Sequence, residues 1–322
     1  MTKDPVLAAI ATAQSGGASP APTATMPDAK NEETLMSELS RRAFIKSGVT
    51  TAAATTLFSA GAFELRANPL GLPIGCQTWP VRDGIAKDFP GTVKQLAAAG
   101  FQNIELCSPV GYDDSGFGGL AKYKGSELRT MLNDWGVSCF SSHFGIDELR
   151  KDQASRIAWA QDLGLKQMIV PSLDGPKNPT IEDVKRAADE YNKMGENAAK
   201  AGIQQGLHNE GFELSHVNGK RTYDLLIELL DPKLVKFQFQ ISTISDGYDA
   251  AEYFMKYPGR FFSMHVQGWN APTKKIVAVG QDTLDWKKIF TAARTGGVEN
   301  YFVEMNFDLM KASVPYLRNL QV

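Results

Sequence analysis

The feature that most constrains the fold is a repeated alternation of short β-rich runs with longer amphipathic segments, from about residue 72 to the end of the chain. Strands alternating with helices predict a parallel sheet, because parallel strands need long crossover connections. Eight such units predict that the sheet closes, and the 260 residues after position 62 are close to the ~250 of a (β/α)8 barrel. The predicted strands are 72–77, 103–106, 137–141, 167–171, 203–208, 235–240, 261–265 and 301–304.

Glycines mark the ends of the predicted helices. Gly100, Gly136, Gly164, Gly202 and Gly297 each stand between an amphipathic segment and the next β-rich run, where a left-handed residue ends a helix. The predicted helices are 92–99, 126–134, 155–163, 181–201, 223–230, 250–256, 286–293 and 309–320. A doubly wound open sheet is disfavoured because CQTWP, and no Gly-rich phosphate loop, follows the first strand. We therefore expect a (β/α)8 TIM barrel over 63–322.

The first 62 residues differ from the rest in composition. Residues 1–39 are rich in small and polar residues, bury too little apolar surface to offset the entropy of ordering, and are expected to be disordered. Residues 40–46 read SRRAFIK, and an uncharged stretch of small residues follows. This order predicts a twin-arginine signal peptide over 40–62. It implies a periplasmic or otherwise exported protein, with the twin-arginine translocase as a partner during export.

Composition excludes several classes of function. The chain has 34 Lys and Arg against 36 Asp and Glu, a formal net charge of −2. It therefore lacks the basic balance that nucleic-acid binding needs, and no nucleic-acid partner is expected. Cys76, Cys107 and Cys139 are too few and too widely spaced for a disulfide framework or a CxxC zinc site. Whether the protein forms a homo-oligomer stays open.

In a barrel of this kind chemistry belongs at the C-terminal ends of the strands. Three of the four histidines, His143, His208 and His265, end predicted strands, as do Gln240 and Glu304. A carboxylate placed directly after an apolar run, as Glu304 is, needs a partner. A metal ion or a network of substrate hydroxyls would supply one, so these side chains predict a functional site at the barrel mouth.

Four segments also carry a family pattern. They are GLHNEGFE at 206–213, DPKLVKFQFQ at 231–240, YPGR at 257–260 continuing to His265, and the stretch 280–286. They resemble the strand-five, strand-six and strand-seven blocks, and the loop and helix that follow, of the sugar phosphate isomerase/epimerase family. These are the xylose isomerase-like barrels that also include endonuclease IV. The resemblance covers the chain from about residue 72 onwards and implies a carbohydrate enzyme with a divalent metal at the strand ends.

Position by position, the metal ligands of that family fall on His208, Gln240, His265 and Glu304. The usual set is Glu, Asp, His and Glu, so this chain carries one negative charge in place of three. Fewer carboxylates and more imidazoles disfavour Mg²⁺ and favour Mn²⁺ or Zn²⁺, with Fe²⁺ also compatible.

The resemblance implies an isomerase or epimerase that removes and returns a proton next to a carbonyl. Because phosphorylated sugars are scarce outside the cytoplasm, export favours a free sugar or keto-sugar as the substrate. Glu304 is expected as one acid/base group, with His208 or Glu210 opposite it.

Four further side chains near the predicted mouth are expected to bind the substrate. Glu105, at the end of the second predicted strand, and His143 could each hydrogen-bond substrate hydroxyls, and Trp79 and Trp269 could each stack on a sugar ring.

Two other functions stay open. A 3-keto-glycoside lyase or hydratase uses the same enolisation and then expels a leaving group. A non-catalytic periplasmic carbohydrate-binding subunit would keep the barrel without a working metal centre, and the departures at His208, Gln240 and Glu210 favour it. The export signal, the charge balance and the lack of extra metal ligands argue against an endonuclease IV-like repair enzyme.

Overall fold

The computed structural model describes residues 68–322, in which eight parallel strands form a closed barrel and a helix follows each strand. The ring closes because the first strand pairs with both the second and the eighth. The strands are β1 (Gly75–Gln77), β2 (Asn103–Cys107), β3 (Ser138–His143), β4 (Gln167–Val170), β5 (Gln204–Leu207), β6 (Val235–Gln240), β7 (Phe261–Val266) and β8 (Asn300–Val303). The predicted TIM barrel is confirmed.

Eight α-helices surround the barrel over the same part of the chain. They are α1 (Arg82–Ala99), α2 (Gly125–Asp134), α3 (Ile146–Leu163), α4 (Ile181–Lys200), α5 (Thr222–Leu229), α6 (Ala250–Lys256), α7 (Trp286–Gly296) and α8 (Phe307–Asn319). Short antiparallel hairpins, 216–221 after β5 and 268–277 after β7, extend two of the loops. None of the helices in residues 68–322 has the length and apolar character that crossing a bilayer requires.

Helices α1 and α3 begin earlier than the sequence predicts. Each contains one residue with non-helical backbone, Asp88 in α1 and Asp152 in α3. The Asp88 carboxylate accepts a hydrogen bond from the Gly91 amide at 3.0 Å, and Asp152 accepts one from the Ser155 amide at 3.1 Å. Both aspartates therefore cap a helical segment from inside the element, and the predictions identified only the segment after each cap.

Alternation along β6 shows how the strands divide apolar from polar side chains. Phe237 and Phe239 point outward, and the Phe237 ring lies 5.5 Å from the Tyr223 ring of α5, centroid to centroid. Gln238 and Gln240, between and after them, point into the barrel and are buried. The period of two thus gives the barrel an apolar jacket and a polar interior at this strand.

Three predictions concern the chain before the barrel. The disordered segment over 1–39, the twin-arginine signal over 40–62 and the start of the barrel domain at 63 lie outside the described residues. They stay predictions.

Candidate functional site

Parallel strands bring five of the predicted site residues to one end of the barrel. His143 is the last residue of β3 and Gln240 the last of β6, while His265 is the last but one of β7. His208 and Glu304 come directly after β5 and β8. Gln240 and His265 are register partners on neighbouring strands. We call these five residues the strand-end cluster.

His265 lies between two carboxylates and is completely buried. Its Nδ1 is 3.0 Å from Glu304 Oε2, and its Nε2 is 2.6 Å from Glu105 Oε2. Burial opposes a charge on the ring, but the attraction of Glu304 and Glu105 outweighs it and raises the pKa of His265 to about 10. The same attraction outweighs burial at Glu304 and lowers the pKa of that carboxyl.

Glu105 lies one layer below the mouth. The sequence predicts it at the end of the second strand, but β2 continues to Cys107, and the Glu105 side chain is fully enclosed. Its carboxylate accepts hydrogen bonds from Gln77 Nε2 at 3.0 Å, from Gln238 Nε2 at 2.8 Å and from the Ser141 hydroxyl. The predicted contact with substrate stays a prediction, whereas these hydrogen bonds and the one to His265 give Glu105 a role in orienting the imidazole.

Glu105 is held by a polar layer that the sequence did not predict. Ser141 and Gln238 lie two residues before His143 and Gln240, so each shares the inward face of its strand with a member of the strand-end cluster. That period of two is the signal that could have identified them. Gln77, at the end of β1, carries no comparable signal.

His143 hydrogen-bonds to the same layer. Its Nε2 is 2.8 Å from Gln238 Oε1 and 3.2 Å from Glu105 Oε2, and its ring stacks on His265 with centroids 5.2 Å apart. Because the Gln238 amide group donates to Glu105, its oxygen faces His143, and His143 Nε2 therefore carries the proton. That nitrogen has no lone pair to offer a metal in this arrangement.

Two buried atoms of the cluster lack a partner among the described residues: His208 Nε2 and Gln240 Oε1. His208 Nδ1 is 3.2 Å from the backbone carbonyl of Gln238, which places the proton on Nδ1 and a lone pair on Nε2. Burial and the repulsion of His265 lower the pKa of His208, which keeps the ring neutral. Gln240 Nε2 donates to Glu304 Oε2 at 2.7 Å. A buried lone pair without a donor is costly unless a ligand satisfies it.

Two sets of side chains could hold a divalent metal, and both include His265. Glu105, His143 and His265 have ligand atoms within 4.8 Å of one another, but donors from β1, β3 and β6 already surround that carboxylate. The predicted set of His208, Gln240, His265 and Glu304 includes both unpartnered atoms. Its mixture of two imidazoles, a carboxylate and an amide oxygen fits Mn²⁺ or Zn²⁺. Of the described residues, only Glu105, His143 and His265 form a His and Glu group that meets this distance. The donor chemistry alone points to the predicted set, with Glu105 behind it as the carboxylate that orients His265.

A cavity of about 340 Å³, formed by the loops after β5, β6 and β7, reaches the strand-end cluster at Gln240. Gln240 lies on its wall together with Glu210 and Trp269. The Glu210 side chain is 51% exposed, and its Oε1 is 3.7 Å from His208 Nε2, which is beyond a hydrogen bond. We call this hollow the mouth cavity.

Trp79 does not line the mouth cavity. It follows β1, where the Arg82 guanidinium lies 4.5 Å from its ring centroid and Tyr112 meets it edge-on at 5.8 Å. The structure thus brings together Trp269, Gln240 and Glu210, and it leaves Trp79 in a separate aromatic cluster. The substrate contacts predicted for both tryptophans stay predictions.

Solved structures of similar fold are barrels of the same kind. A sugar phosphate isomerase/epimerase from Parabacteroides distasonis aligns with a TM-score of 0.66 and 23% identity, over 85% of this chain and 97% of that one. An L-ribulose 3-epimerase aligns with a TM-score of 0.53 and 16% identity, over 76% and 93%. A xylose isomerase-like TIM barrel protein from Mycobacterium smegmatis, in complex with magnesium, aligns with a TM-score of 0.55 and 13% identity, over 78% and 97%. At these identities the likeness shows the fold.

The family of the chain is identified from its sequence. No curated protein is similar enough in sequence to count as a relative. The family model described as xylose isomerase-like TIM barrel, however, matches residues 93–319, which includes the loops after β2 to β8 and all five members of the strand-end cluster. The closed barrel, the strand-end histidines and this match agree, and the chain belongs to the xylose isomerase-like TIM barrel family.

Proposed function

We propose that the protein is a metal-assisted isomerase or epimerase that acts on a free sugar or keto-sugar by moving a proton next to a carbonyl. One observation supports this most directly. Glu304, an ionised carboxylate whose pKa is lowered by His265, lies in one buried cluster with His208, whose ring is neutral. A carboxylate base beside a neutral imidazole that can hold an ion suits the removal of a proton next to a carbonyl.

Separate side chains are proposed to hold the metal and to move the proton. His208, Gln240, His265 and Glu304 would hold a divalent ion, with Mn²⁺ or Zn²⁺ favoured and Fe²⁺ compatible. When bound, such an ion supplies Lewis-acid polarisation of the substrate's oxygens.

The proton is handled by groups of the chain. Glu304 Oε2, held by Gln240 Nε2 at 2.7 Å, is the proposed base. Glu210, which lines the mouth cavity and whose Oε1 is 3.7 Å from His208 Nε2, is the proposed group that returns the proton.

The experiment is solvent exchange. The full chain, supplied with Mn²⁺ or Zn²⁺, is incubated in D2O with a panel of ketoses and aldoses, and proton NMR follows loss of the signal next to the carbonyl. Wild type should exchange that proton on at least one sugar, and Glu304→Gln should slow the exchange about 10²- to 10⁴-fold, the usual contribution of a positioned base. Glu299→Gln, an exposed acid at the opposite end of β8, is the matched control.

Three results would reject the proposal. Exchange that survives in Glu304→Gln would remove Glu304 as the base. Sugar binding without any exchange would favour the non-catalytic carbohydrate-binding subunit, and release of an alcohol fragment together with exchange would favour the lyase.

We further propose that the twin-arginine signal over 40–62 exports the protein to the periplasm through the twin-arginine translocase. The SRRAFIK sequence supports this. Fractionation of cells that express the full chain should recover it outside the cytoplasm, and replacing Arg41 and Arg42 by lysine should retain it inside. Equal distribution of the two forms would reject export by this route.

A further inference from the structure

A second hollow lies beside the mouth cavity, above the ends of β4 and β5. It measures about 640 Å³, nearly twice the mouth cavity at about 340 Å³, and is formed by the loops 172–177 and 210–215. Glu210, Gly211 and Leu214 line both spaces. We propose that this hollow is a binding subsite for the second ring of a two-ring carbohydrate, a disaccharide or glycoside, whose first ring occupies the mouth cavity. The proposal rests on the proposed function.

Gly211 lies at the boundary between the two spaces and lines both. Gly211 has a φ of +57° and no side chain, and a Cβ built there would lie 2.9 Å from the Ser172 hydroxyl. Any larger residue would place atoms between the loops after β4 and β5, and a side chain at this φ would also be strained. Glycine at 211 therefore keeps side-chain atoms out of this part of the boundary between the two spaces, which share Glu210, Gly211 and Leu214.

The lining of the hollow suits a neutral, hydroxylated ring. Phe212 forms an apolar side, with Gly175 packed so closely that a Cβ there would lie 2.3 Å from the ring. Asp174 and Glu210 offer acceptors, and Lys177, exposed and without an ion pair among the described residues, offers a donor. Apolar contact with a few polar groups is the usual recognition of small ligands. Two acids against one lysine disfavour a phosphate or carboxylate group.

The two spaces differ in chemistry, which fixes the order of the rings. Gln240 of the strand-end cluster lines the mouth cavity, and none of the five cluster residues lines the second hollow. The reacting ring therefore belongs in the mouth cavity, and the hollow would bind a ring that does not react. Its contribution is affinity and choice of substrate length.

The test compares one-ring and two-ring probes by titration calorimetry. Glucose is paired with cellobiose and maltose, and galactose with lactose, on the full-length protein loaded with Mn²⁺ or Zn²⁺. At least one disaccharide should bind about 10-fold or more tightly than its monosaccharide. Lys177→Ala and Asp174→Gly should each weaken that disaccharide about 3- to 10-fold, the usual effect of one hydrogen bond, and leave the monosaccharide unchanged. Glycine suits position 174 because Asp174 has a φ of +52°.

Lys200→Ala, at an exposed position at the far end of α4, is the matched control and should change neither affinity. Monosaccharides that bind as tightly as every disaccharide, or a disaccharide advantage that survives in both variants, would overturn the second subsite and leave the proposed function standing. If no probe of either length binds, the carbohydrate assignment fails and the subsite with it.

Discussion

Glu105 shows how one residue away from the mouth can control the site. Its carboxylate is fully buried. It accepts hydrogen bonds from polar side chains on β1, β3 and β6 and lies 2.6 Å from His265 Nε2, and it therefore determines the orientation of the imidazole. With Nε2 committed to Glu105 and Nδ1 to Glu304, an ion on Nδ1 would have to replace the proton that the ring holds there. Such carboxylate–histidine pairs hold both the tautomer and the orientation of a metal ligand.

Glu105→Gln should therefore weaken metal binding about 10- to 100-fold, the usual cost of removing a carboxylate behind a ligand. The amide keeps the shape of the side chain but removes the charge that stabilises His265. Titration of chelator-treated protein with Mn²⁺ or Zn²⁺ would measure the change, with Glu299→Gln as the control. An unchanged affinity would show that Glu105 does not act through His265.

Glu213 makes the stability of the fold depend on pH. It is fully buried; Oε1 accepts from the Leu173 amide at 2.8 Å, and Oε2 has no partner among the described residues. Burial raises the pKa of Glu213 from 4.5 to about 8. Because the folded state binds this proton more tightly than the unfolded chain does, protonation of Glu213 stabilises the fold. This contribution to the free energy of unfolding is complete below pH 4.5 and is lost as the pH rises through about 8.

Glu213→Gln keeps the acceptor for Leu173 and cannot ionise. Between pH 5 and 8 the free energy of unfolding of wild type should fall relative to the variant by up to about 1.4 kcal/mol per pH unit. Urea denaturation at several pH values measures this difference. Parallel pH dependences of the two proteins would contradict a protonated Glu213 in the fold.

Sequence patterns predicted most of the helices and strands. The bounds of β6 and α6 match those predicted, because Val235–Gln240 alternates cleanly and Asp249 caps α6 through the Glu252 amide at 3.1 Å. The first segments of α1 and α3 were missed because Pro90 and the internal caps resemble the start of a helix. A cap inside an element and a cap at its beginning have the same sequence pattern.

Asp152→Ala should lower the free energy of unfolding, because the helical segment that follows loses its cap. The physical reason is that the Ser155 amide, now bonded to Asp152 at 3.1 Å, loses its acceptor. Asp189→Ala, exposed in the middle of α4, should stay within about 0.5 kcal/mol of wild type. Equal effects in chemical denaturation would show that Asp152 does not act as a cap.

The molecule as a whole determines what sequence could not predict about the site. The strand-end cluster was predictable because each member ends its own strand, and the barrel brings strand ends together. The hydrogen-bond donors around Glu105 were not predictable, because Gln238 and His265 come from the opposite side of the barrel, 133 and 160 residues away along the chain. Spacing along a sequence does not encode contacts across a barrel interior.

Metal binding should stabilise the whole barrel, because an ion held by β5, β6, β7 and β8 binds only the folded state. At 100 times the Kd, Mn²⁺ or Zn²⁺ adds about 2.7 kcal/mol, which is about 5 °C in Tm for a domain of this size. His208→Ala should abolish the shift, and His143→Ala should retain it. The reverse pattern would place the ion between Glu105, His143 and His265 instead.

The hydrogen bond between Glu105 and His265 also affects when the barrel can close during synthesis. Glu105 leaves the ribosome 160 residues before its partner, and a carboxylate enclosed without its counter-charge is strongly destabilising. The first half of the barrel therefore gains little by closing early, and the last strands must arrive before the interior can be sealed. A truncated chain that ends before β7 would lack both His265 and Glu304. Capture of an ion by these residues would then report that translation and closure of the ring are complete.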